Sequence, residues 1–266
     1  MSRSMAITGA ERVPRLTVVR RLEAAGFRAW PASSTYYDGT WAVRLTTSFP
    51  AKRLNSVNPL DPADDTAIEA RIERVGERFR AAGRPLVFRQ SPLAPPRLIR
   101  YLDDAGWSSF GESIVYTADL ASLDLKEAID RIPLQDARRY LEASLAVHRR
   151  PAALREGLEA VLTSIRPPAA FFVRESEEGV PVAVALAITD NDLAGILDVA
   201  VAPSARRQGI GIDLVATALR HTLHKGARTG WLQVEAENAA GRSLYARLGF
   251  SEAYRYVYRA PPGIIV

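Results

Sequence analysis

Apolar residues recur along the second half of the chain with two different periods. Between residues 209 and 225 they stand at Ile212, Val215, Ala216, Leu219 and Leu223. That spacing of three and four predicts one buried face of a helix, and Gly226 supplies its stop. Residues 169–174, 180–189 and 194–201 are short runs rich in Ala, Val, Leu, Ile and Phe, which predict strands. Asp190-Asn191-Asp192 between the last two predicts a hairpin turn. A further strand is predicted over 231–235, a helix over 239–248 closed by Gly249, and an alternating last strand over 254–259. Upstream, 134–147 and 152–165 predict two helices separated by Pro151. Strands alternating with helices predict the α/β class, a mixed sheet with crossover connections.

The first half repeats this punctuation. Gly226, Gln233 and Gly249 each stand 143 residues after Gly83, Gln90 and Gly106. In both places a glycine stops a long helix, a glutamine ends a short strand, and a second glycine closes a helix. Each unit continues into an aromatic strand, Ile114-Val115-Tyr116 and Tyr256-Val257-Tyr258. One supersecondary unit used twice predicts two domains, 1–122 and 123–266, with a junction near Leu120 to Lys126. Two sheets of similar order, related by a rotation, are expected.

Composition narrows the chemistry. A chain of 266 residues, 47% hydrophobic and 24% charged, has material for a core and is not mainly disordered. No apolar run approaches the roughly 20 residues that span a bilayer. Residues 1–9 hold no apolar stretch long enough for a secretory signal. A cytoplasmic protein without membrane contact is expected. With no cysteine, disulfides, thiolate metal sites and a cysteine nucleophile are excluded. His148, His221 and His224 are the only imidazoles, too few for a histidine-rich metal centre, and no metal is expected. His221 and His224 are expected on the outer face of their helix. Of the 35 basic residues all but Lys52, Lys126 and Lys225 are arginine, and the net charge is +5. The arginines are interleaved with acids, as in Glu69-Ala70-Arg71-Ile72-Glu73-Arg74, so nucleic acid is not expected as a partner. A local phosphate site is a separate matter.

Such a site is legible in Leu197-Asp198-Val199-Ala200-Val201-Ala202-Pro203-Ser204-Ala205-Arg206-Arg207-Gln208-Gly209-Ile210-Gly211. A strand runs into a turn, and glycines open a helix. Backbone N–H groups then converge at the positive end of the helix dipole, where Gly209 and Gly211 admit a pyrophosphate and Arg206 and Arg207 add charge. A second segment follows, in which Asn238, Leu244-Tyr245 and Leu248-Gly249-Phe250 stand after the strand ending at Glu235.

Together the two segments resemble the GNAT N-acetyltransferase superfamily. Arg206, Gly209 and Gly211 match its first motif, and Asn238, Leu244-Tyr245 and Leu248-Gly249-Phe250 its second. The resemblance covers roughly residues 134–259 and implies mixed, mostly antiparallel sheets flanked by helices. It further implies that acetyl-CoA is the co-substrate and an amine the acceptor. Val199, Ala200 and Val201 would pair with the pantetheine arm. Amides of Arg206, Arg207, Gln208, Gly209, Ile210 and Gly211 would hold the pyrophosphate. Asn238 would steady the cofactor arm where the two strands splay, and a backbone N–H at the strand bulge would polarise the thioester carbonyl. Tyr245 would protonate the departing thiolate, and a carboxylate would take the excess proton from the amine, with Glu235 and Asp198 as candidates.

At the offset of 143, Arg206, Gly209, Gly211 and Tyr245 become Ala63, Thr66, Ile68 and Leu102. Asp61, Asp64 and Asp65 stand at that helix start, where they are expected to cap it and would repel a pyrophosphate. The first half therefore reads as a degenerate GNAT-like domain that covers the sheet or shapes the acceptor pocket. Residues 53–59, its most polar strand, are the place to look for such contacts. Trp41, Tyr36 and Tyr37 read as an aromatic hairpin, with an acceptor pocket as the alternative. The acceptor itself stays open between a small amine, an amino acid, a peptide, and a protein N-terminus or lysine of the ribosomal-protein type. A non-catalytic acyl-CoA-binding regulator is the reading outside enzymes. A monomer or homodimer is expected.

Overall fold

A computed structural model describes residues 14–125, 128 and 132–264, so residues 1–9 and Lys126 lie outside the described part. The first half runs α1 (Leu16–Ala29), β1 (Ser34–Asp38), β2 (Trp41–Leu45), β3 (Ser56–Pro59), α2 (Ile68–Ala81), β4 (Phe88–Gln90), α3 (Pro96–Asp104) and β5 (Ser108–Asp119). The second half runs α4 (Ala137–His148), α5 (Arg155–Ser164), β6 (Ala169–Glu175), β7 (Pro181–Asp190), β8 (Leu193–Val201), α6 (Ile210–His224), β9 (Thr229–Glu235), α7 (Ala239–Arg247) and β10 (Ser251–Ala260). From β1 and from β6 onward the order of elements is the same. The repeated glycines do the same work in both halves. Gly83, Gly106, Gly226 and Gly249 end four helices at φ +63, +70, +95 and +89, where a Cβ is strained.

The expectation of two sheets is corrected. All ten strands form one sheet in the order β1-β2-β3-β4-β10-β5-β9-β8-β7-β6. Read from either end, the order meets equivalent strands, and β10 and β5 sit side by side at the centre. Each half has given its last strand away: β10 pairs with β4 of the first half, and β5 with β9 of the second. The exchange leaves neither half with an open inner edge, which is the physical reason for a continuous sheet. Among the described residues only β3–β4 and β8–β9 are parallel.

Alternation along the strands sends side chains to two layers. Leu197, Trp231 and Tyr254 pack with α1, α4 and α5 on one face. Ile196, Leu232, Val234 and Phe250 pack with α6 and α7 on the other. Helix α1 of the first half thus covers strands of the second, and its Arg21 and Arg28 pair with Asp192 and Asp190 at the β7–β8 turn. Helix α5 returns the contact at Gly157, which lies against the backbone of Ser48.

The corner of the first half that corresponds to the glycine turn is filled. Helix α2 starts after Ala67, which has φ 48 and supplies no side-chain cap, so the expected capping by Asp61, Asp64 and Asp65 does not occur. Asp64 is instead drawn to Arg71, 2.8 Å away, and accepts from the Thr40 N–H and hydroxyl at 2.8 and 2.7 Å. Burial alone would raise its pKa, but Arg71 and Thr40 outweigh it and push the carboxyl down to about 2. Leu102 is buried in a cluster with Trp41 and Phe88. Trp41 packs edge-on to Phe88 with Arg71 stacked over it and Tyr36 lies under Arg78, whereas Tyr37 is exposed, so the packed aromatic hairpin is formed by Trp41 and Tyr36 without Tyr37.

Candidate active site

Strands β8 and β9 run paired from Leu193 opposite Thr229 to Ile196 opposite Leu232, and the pairing ends there. Beyond it the two strands part. The cause lies one residue on. Leu197 faces Leu186 and Ala200 faces Val184 across β7, so Asp198 and Val199 share one position in a β-bulge. Asp198 takes φ 52 in that bulge, a conformation aspartate tolerates better than most side chains.

The side chain of Asp198 is 3% exposed and saturated with donors. Tyr140 Oη donates to it at 2.9 Å, Ser144 Oγ at 2.6 Å and Arg150 Nη2 at 2.6 Å. His148 Nε2 lies 3.1 Å from its carboxylate and 3.3 Å from its carbonyl oxygen. Burial would raise the carboxyl's pKa, but His148 and Arg150 reverse that and hold it well below the usual carboxylate range. A carboxylate so held is a poor proton acceptor. The geometry makes Asp198 the group that fixes the bulge, which argues against the base role expected of it. Both atoms facing His148 Nε2 are acceptors, so that nitrogen carries the hydrogen, and Nδ1 is the ring nitrogen turned away from Asp198.

After β8 the chain makes a 3₁₀ turn at Pro203–Ala205, passes Arg207 at φ 62 and Gly209 at φ 78, and enters α6. The backbone N–H groups of residues 207–212 have no acceptor among the described residues. Arg206 Nε turns back to the Val201 carbonyl at 3.2 Å and Gln208 Nε2 to that of Ser204 at 3.3 Å. The two glycines differ. A Cβ on Gly209 would meet nothing within 4 Å, whereas one on Gly211 would meet Leu244 and Val201 at 3.1 and 3.2 Å. Gly209 borders open space, and Gly211 lets α6 seat against α7 and the end of β8.

Asn238 caps α7, its Oδ1 accepting from the Gly241 N–H at 2.9 Å. Its carboxamide N–H₂ has no hydrogen-bond partner among the described residues. Tyr245 is 7% exposed, with its ring edge-on to Phe250 and its hydroxyl without a hydrogen-bond partner among the described residues. Burial pushes its pKa up to about 12. Glu235 is exposed at the end of β9, and its carboxylate has no partner among the described residues. Val201, Gly211 and Leu244 touch, so the end of β8, the start of α6 and the helix of Tyr245 form one unit. Among the described residues no cluster of His, Asp and Glu is placed to hold a metal, and no helix is long and apolar enough to cross a membrane.

Sequence reasoning missed the ring around Asp198. The signal was present: Tyr140, Ser144 and His148 are spaced by four and so share one face of α4.

The family described as "Probable histone acetyltransferase Rv0428c C-terminal" matches residues 17–259. An uncharacterised N-acetyltransferase of Bacillus subtilis, YobR, is 24% identical over 248 residues, 91% of this chain and 98% of that one. The ribosomal protein bS18-alanine N-acetyltransferase of Escherichia coli is 42% identical over 62 residues, 23% of this chain and 42% of that enzyme. Two solved structures share the fold. A GCN5-related N-acetyltransferase from Kribbella flavida has a TM-score of 0.65 at 19% identity, with 93% of this chain and 96% of that one covered. A tandem GNAT protein from the clavulanic acid biosynthesis pathway has a TM-score of 0.64 at 16% identity, with 97% and 92% covered.

Proposed function

The chain belongs to the Rv0428c C-terminal acetyltransferase family and is a GNAT-type N-acetyltransferase, and on that premise we propose that it moves an acetyl group from acetyl-CoA to a primary amine by direct attack. The observation that carries the proposal is the row of N–H groups at 207–212 without acceptors, at the start of α6 and beside the parting strands. Such a row, at the positive end of a helix, is suited to a pyrophosphate.

Acetyl-CoA, when bound, supplies the acetyl group as a thioester. Val199, Ala200 and Val201 offer backbone groups to its pantetheine arm, and the amides of Arg207, Gln208, Gly209, Ile210 and Gly211 cradle its phosphates, while the Arg206 N–H expected among them is turned to the Pro203 carbonyl at 3.5 Å. The Asn238 N–H₂ donates toward the arm. Tyr245, protonated because it is buried, holds the proton that the leaving thiol needs. His148 Nδ1, set as an acceptor by Asp198, takes the proton of the amine through water. Glu235 lacks any such orienting partner. The bulge that Asp198 holds presents the backbone N–H that polarises the carbonyl. Residues 123–266 carry this chemistry, and residues 1–122 keep the frame without a second cofactor site. Leu102 in the place of Tyr245 and the Asp64–Arg71 pair in the place of the glycine turn support that division.

Calorimetry is expected to give one acetyl-CoA per chain. Gly209→Val should weaken it by at least about tenfold, since a Cβ at φ 78 costs about 1–2 kcal/mol and fills the space left for phosphate. Two equivalent sites, or an unaffected Gly209→Val, would overturn the assignment. The role of His148 is read separately. His148→Gln keeps a donor for Asp198 but has no basic nitrogen. It should lower kcat about tenfold while leaving the calorimetric affinity for acetyl-CoA unchanged. An unchanged kcat would return the base role to Glu235 or to solvent.

A further inference from the structure

Where β8 and β9 part, a crevice opens on the face opposite α6, lined by apolar side chains, by the Glu23 carboxylate and by a set of donors. Leu197 and Trp231 form its floor, and Gln233 stands just beyond the last paired residue, Leu232. Arg44 of β2, Arg53 and Arg89 of β4 close it from the first half. Three buried N–H groups around this one crevice have no acceptor among the described residues: Arg44 Nε, Arg89 Nε and Trp231 Nε1. They come from three different strands, and no orphaned acceptor accompanies them here. Arg44 and Arg89 are each 3% exposed. Gln233 adds to the set, because its Oε1 accepts from Tyr256 Oη at 3.0 Å and its N–H₂ is left without a partner among the described residues.

The charges do not balance within the protein. The carboxylate of Glu23 is taken by Arg89 and by Tyr254 Oη at 2.5 Å. Arg44 has no carboxylate partner among the described residues. Its guanidinium donates to the carbonyls of Arg53 at 2.7 Å, Trp30 at 2.5 Å and Phe27 at 3.4 Å. Burial, with Arg53 adding repulsion, pushes its pKa down to about 10. Arg53 is half-buried and makes no ion pair among the described residues. Two cations are therefore uncompensated beside a cluster of orphaned donors, an arrangement that costs free energy until an anion arrives.

We propose that this crevice recognises the carboxylate of the acceptor, so that the substrate is a small amino acid-like molecule carrying both an amine and a carboxylate. The inference rests on reading the parting strands as the acetyl-transfer site. As it stands the crevice interior has room for about one water, so it excludes a folded chain and takes a carboxylate only when its wall opens. Arg53, half-buried and without an ion pair among the described residues, is the wall residue that the proposal requires to turn outward. Arginine matches a carboxylate with two parallel N–H groups, and here the indole N–H and the Gln233 amide would bind its remaining lone pairs. An amine a few bonds away would then lie toward the bulge at Asp198 and His148.

The test uses the full chain and two readouts. The indole N–H resonance of Trp231, assigned with Trp231→Phe, should shift when glycine or alanine is added and stay in place with glycinamide or alaninamide. In turnover with acetyl-CoA, amino acids should exceed their amides by about 100-fold in kcat/KM. Arg53→Gln should raise KM for the acids at least about tenfold, abolish the Trp231 shift, and leave the calorimetric affinity for acetyl-CoA unchanged. Amides acetylated as well as acids, or a Trp231 signal indifferent to every acid tested, would mean that the crevice holds only a water, and would overturn the inference. A chain that binds no acetyl-CoA but keeps the carboxylate-dependent Trp231 shift would lose the acetyl-transfer reading and retain the carboxylate site.

Discussion

Tyr245→Phe is expected to lower turnover by about 10²- to 10⁴-fold while leaving acetyl-CoA affinity within about twofold. The phenol sits in the layer between α7 and the sheet, among Leu232, Val234 and Phe250. Phenylalanine fills nearly the same volume, so packing survives. The partners proposed for the cofactor are backbone groups of β8 and of the turn before α6, none of which the substitution touches. What is lost is one proton, which the phenol carries at neutral pH and which burial, lifting its pKa to about 12, releases only to a strong base such as a departing thiolate. A loss in kcat and kcat/KM together, at constant acetyl-CoA affinity, is the signature of a group that acts only as the bond breaks. Rapid-quench turnover and calorimetry on the same preparation make the comparison. Full activity in Tyr245→Phe would assign the proton to water and leave the cofactor cradle as the site's remaining chemistry.

The reach of sequence reasoning is set by the range of the interactions involved. Helix α6, strand β9 and helix α7 are legible almost to the residue because their ends are local events. Gly226 and Gly249 each need a left-handed φ, and a glycine after an apolar period marks that need. The repeat is legible for the same reason. The merging of two sheets into one is not, because alternation tells a strand which face to bury and says nothing of its neighbour. Residues of β10 read equally well as the edge of a second-half sheet and as the strand between β4 and β5. At the site, the phosphate cradle is legible in Gly209 because what that residue contributes is conformational. Asp198 is legible as a carboxylate near the chemistry, but its neighbours Tyr140, Ser144, His148 and Arg150 come from another part of the chain, and only they decide whether it accepts protons or holds a bulge. The arginine crevice assembles Arg44, Arg53 and Arg89 from three places in the first half, so no local pattern announces it.

Gly157→Ala is expected to destabilise the protein by about 3 kcal/mol, against the direction that helix propensity gives. In an open helix the same change gains up to about 1 kcal/mol. Here the added Cβ would lie 2.0 Å from the carbonyl oxygen of Ser48 and 2.7 Å from its carbon, atoms that no rotamer change can move away. Either α5 or the segment around Ser48 must retreat by more than about an ångström, and neither is free to do so. The segment is pinned by Asn55, whose Oδ1 accepts from the Thr46 N–H at 2.8 Å and whose Nδ2 donates to the Phe49 carbonyl at 2.8 Å. Helix α5 is held by Leu158, Val161 and Leu162 in the core beneath α1 and α4. Overpacking of a fixed core commonly costs about 1–3 kcal/mol, and a backbone contact lies at the upper end. For a chain of this size that lowers Tm by roughly 5–10 °C. Gly76→Ala in α2 is the matched control, because its Cβ would meet only Leu86 at an ordinary 3.5 Å. It should leave Tm unchanged or raise it slightly. Arg53 follows the displaced segment, so Gly157→Ala should also raise KM for a carboxylated acceptor more than it changes acetyl-CoA affinity. Equal melting temperatures for the two variants would mean that α5 does not lock the first half against the second, and that the crevice between them owes its shape to something else.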